Sequence, residues 1–221
     1  MKVLKKCFFI SLAFVLVGCT KVKTNENDYQ TIQQKLINME TYSCNAEVTF
    51  YSNQGENKYK ISQQAKNNGK YYIKTTWPEE VNGNLTIFDG NIVWQYNKNL
   101  DSKISVADKD KMTRKEISIF SFLENHLKSK DIALETANIK DEIYSVLEAK
   151  IPGDNKYFDT EKLFINNHTK TPEKLVIYDK DGKERIVVLY DNFIYNPKIE
   201  DSQFDIETII NAPNNWHNNI S

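Results

Sequence analysis

The chain has 221 residues, of which 27% are charged and 40% hydrophobic. This length and apolar content are enough for one sizeable core, and they favour a single domain over two small ones. Because the formal net charge is -1 and no basic stripe carries interleaved aromatic residues, the sequence argues against a nucleic-acid partner.

The N-terminal segment is predicted to be a lipoprotein signal peptide. Three lysines lie within the first six residues, and residues 8–17 form an apolar run that is too short to span a bilayer comfortably. The sequence then reads LVGC at residues 16–19. This resembles the bacterial lipobox, in which the cysteine is lipidated and becomes the new N-terminus. The alternative is an ordinary signal peptide in which Cys19 occurs by chance.

The predicted processing divides the chain into four parts. Residues 1–18 are the signal peptide, residues 19–28 are the lipidated cysteine and a polar tether, residues 29–207 are the folded domain, and residues 208–221 are a flexible tail. A lipid on Cys19 would hold the domain at the extracytoplasmic face of the cell membrane. Since Cys7 is lost with the signal peptide, Cys44 has no disulfide partner, and the fold depends on packing.

The first elements of the domain are a helix and three strands. Apolar residues recur every three or four positions in residues 28–40, which indicates an amphipathic helix with Asp28 near its start as a cap. From residue 41 the apolar period changes to two, and Cys44 to Phe50 follow the alternation of a half-buried strand. Two further strands are predicted, one around Ile61 and one over residues 70–77, where Pro78 ends the pairing.

The strongest local signal is the stretch LTIFDGNIVWQYN at residues 85–97. Apolar residues alternate on both sides of Asp89-Gly90, and these two residues tolerate the positive φ of a type I′ turn. The sequence therefore predicts a β-hairpin. Trp94 and Tyr96 fall on the same face, which is expected to be broad, aromatic and buried.

The second half of the chain contains another helix and more strands. Residues 113–128 carry a helical apolar stripe, and Thr113 with Glu116 forms a capping-box pattern. Strands are predicted over residues 103–106, 143–151, 162–166, 174–178 and 185–192, with residues 204–206 pairing last. About ten strands joined by tight turns, with two helices among them, give a mainly β (α+β) fold: a strongly curved antiparallel half-barrel sheet covered by two or more helices.

The sequence contains no grouping that is typical of catalysis or of a metal site. His126 lies beside the apolar stripe of the second helix, His168 in a turn and His217 in the tail, and none has a ligand partner at the required spacing. Asp179 and Asp181 resemble the start of a calcium loop, but its terminal Glu is missing. A non-catalytic protein without a cofactor is therefore predicted.

Two segments together resemble the LolA and LolB lipoprotein-carrier fold. Residues 73–97 combine a strand that ends in Trp77-Pro78 with the Asp-Gly hairpin, and residues 163–193 combine a Thr-Pro turn with two apolar strands. The resemblance covers residues 29–206 and implies an open, curved half-barrel with a hydrophobic cavity that holds acyl chains. The sequence departs from the carriers at Lys74, near which they often place an arginine that helps to close the lid.

Within this fold, the chain resembles the GerS group of germination lipoproteins from spore-forming Gram-positive bacteria. This resemblance rests on fold, lipobox, size and composition. It implies a non-catalytic, membrane-anchored protein of the forespore or spore envelope that binds and activates a spore-cortex N-acetylmuramoyl-L-alanine amidase of the CwlD type. A homodimer formed by strand exchange is also compatible with long loops in such a sheet. The alternative is a lipid or lipoprotein carrier that binds acyl chains in the half-barrel cavity.

Two sets of site residues follow from these readings. Aromatic residues on strand faces suit recognition of a partner protein, and the candidates are Tyr72, Trp77 and Tyr178. Apolar residues beneath the helices are expected to line the cavity: Phe50, Ile61, Ile73, Ile87, Trp94, Phe120 and Leu123. A cavity of about 300 Å³ or more lined by these side chains would favour the carrier, and a filled interior would favour the binding protein.

Overall fold

The computed structural model describes residues 26–106, 114–129 and 134–211. Its helices and strands are α1 (Glu26–Ile37), β1 (Thr41–Ser52), β2 (Gly55–Lys66), β3 (Tyr71–Trp77), β4 (Leu85–Phe88), β5 (Val93–Asn97), β6 (Ser102–Val106), α2 (Ile119–Lys128), β7 (Leu134–Ile139), β8 (Glu142–Lys150), β9 (Thr160–Asn166), β10 (Pro172–Tyr178), β11 (Glu184–Tyr195) and α3 (Ile206–Ile210). Short 3₁₀ turns lie at Glu79–Val81, Arg114–Ile117 and Asp201–Phe204. No helix in these ranges is both long and apolar enough to cross a membrane.

The strands form one open, curled antiparallel sheet in the order β6-β5-β4-β3-β2-β1-β11-β10-β9-β8-β7. Within β1–β6 and within β7–β11, each strand lies beside the strand that follows it in the chain, and β6 and β7 form the two edges. At the centre, β1 pairs with β11 from Tyr42↔Tyr195 to Phe50↔Ile186. The predicted half-barrel sheet, covered by helices, is confirmed.

The sheet has a core on each face. The larger core lies on the inner face, where Ile32 of α1 and Phe122 of α2 are fully buried against the strands. The smaller core lies on the outer face of β3–β5, beneath Phe204 and Ile209. These two residues belong to residues 199–210, which we call the C-terminal segment. Alternation along a strand supplies both cores. In β3, for example, Tyr71 and Ile73 join the inner core and Tyr72 joins the outer one.

Two buried tyrosine hydroxyls attach the start of α2 to the inner face of the sheet. Tyr42 Oη on β1 accepts a hydrogen bond from Ile119 N at 3.1 Å and lies 3.0 Å from Ser118 Oγ. Tyr190 Oη on β11 donates to Ile117 O at 3.0 Å. The first N–H groups of a helix have no partner within the helix, so Tyr42 supplies an acceptor that the Ser118 side chain does not. The central strand pair therefore sets the position of α2.

The β4–β5 hairpin is confirmed, but its turn lies one residue later than predicted. Asp89 N donates to Ile92 O at 3.3 Å, so Gly90 and Asn91 are the central residues, and Gly90 has a φ of 103°. Asp89 Oδ1 accepts from Asn91 N at 2.7 Å and from Ile92 N at 2.8 Å, and Oδ2 accepts from Trp94 Nε1 at 3.2 Å. An aspartate that bonds the backbone ahead of it favours this register and the type II′ turn.

Strand β7 is missing from the sequence prediction. It lies at the edge of the sheet and pairs only with β8, through a turn in which Lys140 and Asp141 have φ values of 51° and 68°. A lysine rarely adopts such a value, and the pair Lys-Asp lacks the Gly that usually marks a two-residue turn, so the sequence does not indicate this hairpin. The predicted strand over residues 204–206 is wrong, because a 3₁₀ turn ends at Phe204 and α3 begins at Ile206.

The ends of the folded domain also differ from the prediction. Helix α1 begins at Glu26, so Asp28 is not its cap, and the Asp28 carboxylate instead pairs with Lys170 Nζ at 2.6 Å. At the other end, α3 continues beyond the expected boundary at residue 207 and buries Ile209. The predicted signal peptide, Cys19, Thr113 and most of the predicted tail lie outside the described residues.

Candidate functional site

We consider three of the cavities on the described part of the chain, and each exceeds the roughly 300 Å³ of a small-molecule site. We call the first the interhelical groove: it has a volume of about 750 Å³ and lies between α1, α2 and the β2–β3 turn. The second, the strand pocket, has about 430 Å³ and lies over β2–β6. The third, the rim cavity, has about 400 Å³ and lies where the β1–β2 turn meets residues 155–158 and the start of β11.

The interhelical groove is lined mainly by apolar side chains. Leu36 and Met39 come from α1 and the residues after it, and Phe120 and Leu123 come from α2. Two further aliphatic side chains belong to its lining and project into solvent, with Ile37 exposed by 79% and Leu127 by 80%. Because large exposed aliphatic residues beside an apolar groove are typical of protein recognition, this groove is the best candidate for a docking surface.

Charged side chains border the interhelical groove on two sides, with Lys115 and Glu124 on the α2 side and two lysines at the β2–β3 turn. Lys66 and Lys70, at the β2–β3 turn, both pair with Asp201, at Nζ–Oδ distances of 2.5 and 3.1 Å. These two contacts also hold the C-terminal segment near the turn. The Tyr71 hydroxyl is buried in the same region and has no hydrogen-bond partner among the described residues. The groove therefore combines apolar walls with a neutralised lysine pair.

The strand pocket is apolar on one side and uncharged but polar on the other. Ile61 and Ile73 provide apolar surface, and Thr75, Thr86 and Gln95 provide hydroxyl and amide groups. The mixed lining distinguishes it from the interhelical groove. It suits an uncharged ligand with both apolar and hydrogen-bonding surface.

The predicted cavity residues do not share one cavity. Phe50, Ile61 and Ile73 line the strand pocket, and Phe120 and Leu123 line the interhelical groove. Both cavities exceed about 300 Å³, so by volume alone they favour the carrier. The placement of Ile87 and Trp94 is corrected by the structure. They pair across β4–β5 and pack in the outer core, because the C-terminal segment, and not α1 or α2, covers that face.

The three predicted partner contacts have different environments. Tyr72 is only 3% exposed and packs in the outer core with Phe204, so it is corrected to a core residue. Trp77 is 48% exposed at the end of β3. Tyr178 is half-buried, and this burial raises the pKa of its hydroxyl. Contacts through Trp77 and Tyr178 stay predictions.

Buried titratable groups lie beneath α2 and act structurally. Burial raises the pKa of Glu161 to about 7, and the hydrogen bond from Asn125 Nδ2, at 2.8 Å, opposes this rise. His126 Nδ1 lies 2.8 Å from Glu148 O, and its ring stacks on Phe122. These contacts join α2 to β8 and β9. Within the described ranges, no three His, Cys, Asp or Glu side chains come together as metal ligands.

The remaining sequence candidates have ordinary explanations. Cys44 is a free thiol in the inner core, and burial raises its pKa. His168 is exposed in a turn. Asp179 Oδ1 accepts hydrogen bonds from Asp181 N and Lys183 N, both at 2.9 Å, so the Asp179 carboxylate is used by its own turn.

Comparisons with known proteins place the chain in a family. It is similar to an uncharacterized conserved protein from Thermus thermophilus, at 14% identity over 80% of this chain and 91% of that one, with a TM-score of 0.50. It is also similar to a chain in the structure of the CwlD amidase from Clostridioides difficile in complex with the GerS lipoprotein. The identity is 27% over 80% of this chain and 99% of that one, with a TM-score of 0.49. A LolA superfamily protein from Nitrosomonas europaea matches at 17% identity over 80% of this chain and 97% of that one, with a TM-score of 0.44.

A comparison with curated proteins gives no match. The sequence model of the YdcC-like sporulation proteins matches residues 2–204, and the chain therefore belongs to this family.

Proposed function

We propose that this chain is a non-catalytic, membrane-anchored lipoprotein that binds and activates a spore-cortex N-acetylmuramoyl-L-alanine amidase of the CwlD type. Membership of the YdcC-like sporulation family supports a role in the spore. The class of partner follows from the resemblance of the sequence to the GerS group, and the lipobox at residues 16–19 supports an anchor on Cys19. The proposed location is the extracytoplasmic face of a forespore or spore membrane.

The observation that carries the proposal is the interhelical groove, whose lining includes two exposed aliphatic side chains. Ile37 and Leu127 lie on different helices, and each is about four-fifths exposed. Full burial of such a side chain contributes roughly 1.5–3 kcal/mol. Interfaces obtain most of their affinity from a few side chains that become fully buried near the centre of the contact. An apolar segment of the amidase inserted between α1 and α2 would bury both residues at once.

Binding to a purified CwlD-type amidase tests this proposal. The lipidated full chain is kept in detergent, and its affinity for the amidase is measured by interferometry. We expect Ile37→Glu and Leu127→Glu each to weaken binding by about tenfold or more, because each buries a charge in the interface. Leu100→Glu is the matched control, since Leu100 is 73% exposed but lies in the β5–β6 turn.

The outcomes separate docking from activation. Equal losses for Leu100→Glu and Leu127→Glu, or no loss for either groove variant, would remove the groove as the docking surface. Activation is measured as the release of peptides from purified peptidoglycan by the amidase, with and without the chain. An amidase that binds the chain but shows the same rate in both conditions would contradict the activating role.

A second candidate function is an acyl-chain carrier, and one observation favours it specifically. The interhelical groove has a volume of about 750 Å³ and mostly apolar walls, which is enough for a lipid tail. Native mass spectrometry of the chain extracted from membranes tests this alternative. A bound acyl lipid that is lost in Leu123→Glu, a groove-lining position on α2, would support the carrier.

A further inference from the structure

The rim cavity differs from the other two in its chemistry. It has a volume of about 400 Å³, and its apolar floor includes Phe50 and Phe158. Two tyrosine rings line it and are accessible to solvent, with Tyr51 exposed by 37% and Tyr157 by 44%. Exposed tyrosine rings offer a flat apolar face together with a hydroxyl, which suits ligands that are partly apolar and partly polar.

Three amide side chains surround these rings. Asn53 and Gln54 lie in the β1–β2 turn, and their side chains make no hydrogen bond within the part of the chain that the structure describes. Asn155 Oδ1 accepts from Tyr157 N at 2.9 Å, which leaves the Nδ2 donors of Asn155 available. A carboxamide presents both donors and acceptors, so it can bind a hydroxyl or another amide.

The electrostatics of the cavity favour a neutral ligand. Arg185 is the one charged side chain in its lining, and Asp179 neutralises it through Arg185 Nε at 2.7 Å and Nη2 at 2.5 Å. Asp179 is only 3% exposed, so this ion pair is held within the protein. The guanidinium lies 5.4 Å, and the Lys156 ammonium 4.7 Å, from the centre of the Tyr157 ring, so two cations fix the position of that ring.

We propose that the rim cavity binds a neutral N-acetylated glycan. The C–H face of a sugar ring packs on the Tyr51 or Tyr157 ring, and the hydroxyl and acetamido groups pair with the free amides of Asn53, Gln54 and Asn155. The acetamido methyl fits the apolar floor. The proposal deepens the proposed function and rests on it in one respect: the amidase removes peptides from a glycan of N-acetylated sugars, and this chain holds that glycan beside the enzyme.

Binding of N-acetylchitotetraose to the lipidated full chain in detergent tests the proposal without any amidase. The Kd is obtained by saturation-transfer NMR titration, with cellotetraose as the analogue that lacks the acetamido groups. We expect Tyr157→Ala and Tyr51→Ala each to raise the Kd about tenfold, and Tyr157→Phe to keep it within about twofold. Trp77→Ala is the matched control, because Trp77 is an exposed aromatic residue outside the cavity. Circular dichroism confirms that each variant is folded.

The result that supports the proposal is tighter binding of the N-acetylated oligomer together with selective losses in the two tyrosine variants. Absence of binding, equal affinity for cellotetraose, or an equal loss in Trp77→Ala would overturn it. Since no amidase is present, a chain that binds the glycan but not the amidase contradicts only the proposed function. A chain that binds the amidase but not the glycan contradicts only the rim-cavity proposal.

Discussion

Removing one hydroxyl group, by Tyr42→Phe, tests how the central strands hold α2. The ring of Tyr42 packs on Phe120 and Phe193 at centroid distances of 5.2 and 5.3 Å, and a phenylalanine keeps these contacts. The substitution therefore isolates the hydrogen bond from Ile119 N and the contact with Ser118 Oγ. Both partners are at most 5% exposed, so water does not readily replace the lost hydroxyl.

The expected cost follows from the buried donor that is left without a partner. Such a group destabilises a folded protein by about 1–3 kcal/mol. For a domain of this size, each kcal/mol lowers the melting temperature by roughly 2–4 °C. A loss of about 2 kcal/mol thus lowers the melting temperature by about 4–8 °C. Urea unfolding followed by tryptophan fluorescence gives the free energy of unfolding, and differential scanning calorimetry gives the melting temperature.

Tyr96→Phe is the matched control for this experiment. The Tyr96 hydroxyl donates to Asp101 Oδ1 at 2.9 Å in an exposed position, and its removal should change the free energy of unfolding by less than about 0.5 kcal/mol. If Tyr42→Phe and Tyr96→Phe have equal effects, the attachment of α2 through Tyr42 is refuted. Adding Ser118→Ala to Tyr42→Phe should cost less than the sum of the two single changes, because the two residues share one contact.

Two further predictions concern the packed faces of the sheet. Because burial raises the pKa of Glu161 from its usual 4.5 to about 7, the native protein keeps a proton that the unfolded chain loses between these values. The free energy of unfolding should therefore fall as the pH rises from about 4 to about 8, by on the order of 3 kcal/mol, and Glu161→Gln should remove this slope in urea titrations at each pH. Phe204→Ala should lower the free energy of unfolding by about 3–5 kcal/mol, since Phe204 is 1% exposed and covers the outer core. Urea unfolding measures the loss, Ile194→Ala at a 54% exposed position is the control, and a loss below about 1 kcal/mol would show that the C-terminal segment packs elsewhere.

Local patterning was enough to predict most of the sheet. Strands β1 to β5 each alternate apolar and polar residues or end at a recognisable turn, and the sequence predicts them with nearly the observed bounds. Strand β7 escapes prediction because its apolar residues, Leu134, Ala137 and Ile139, do not keep a period of two, and its turn is built from Lys140 and Asp141 in the left-handed conformation. As an edge strand it has one strand neighbour and more exposed surface, so a strict alternation is not required.

The candidate site was harder to predict, because it depends on which face of the sheet is covered. The alternation in β3–β5 correctly separates two faces, but it does not show that both are buried. Tyr72, Ile87 and Trp94 pack in the outer core because a segment more than a hundred residues later folds over them. The exposure of Ile37 and Leu127 was not predicted: Leu127 belongs to the apolar stripe of residues 113–128, which favours burial, and Ile37 lies beside the stripe of the first helix.

The seam between β1 and β11 has a consequence for how the chain folds. Each half of the sheet, β1–β6 or β7–β11, consists of neighbouring hairpins that can form from local contacts. The pairing of β1 with β11 instead joins residues that are far apart in the chain, such as Thr49 and Val187. Closing so long a loop is entropically costly, so pairing across the seam should form late and limit the folding rate. Strands β1 to β6 then keep the β1 edge open until β11 has been synthesised. During this interval the unpaired edge exposes the chain to aggregation and proteolysis.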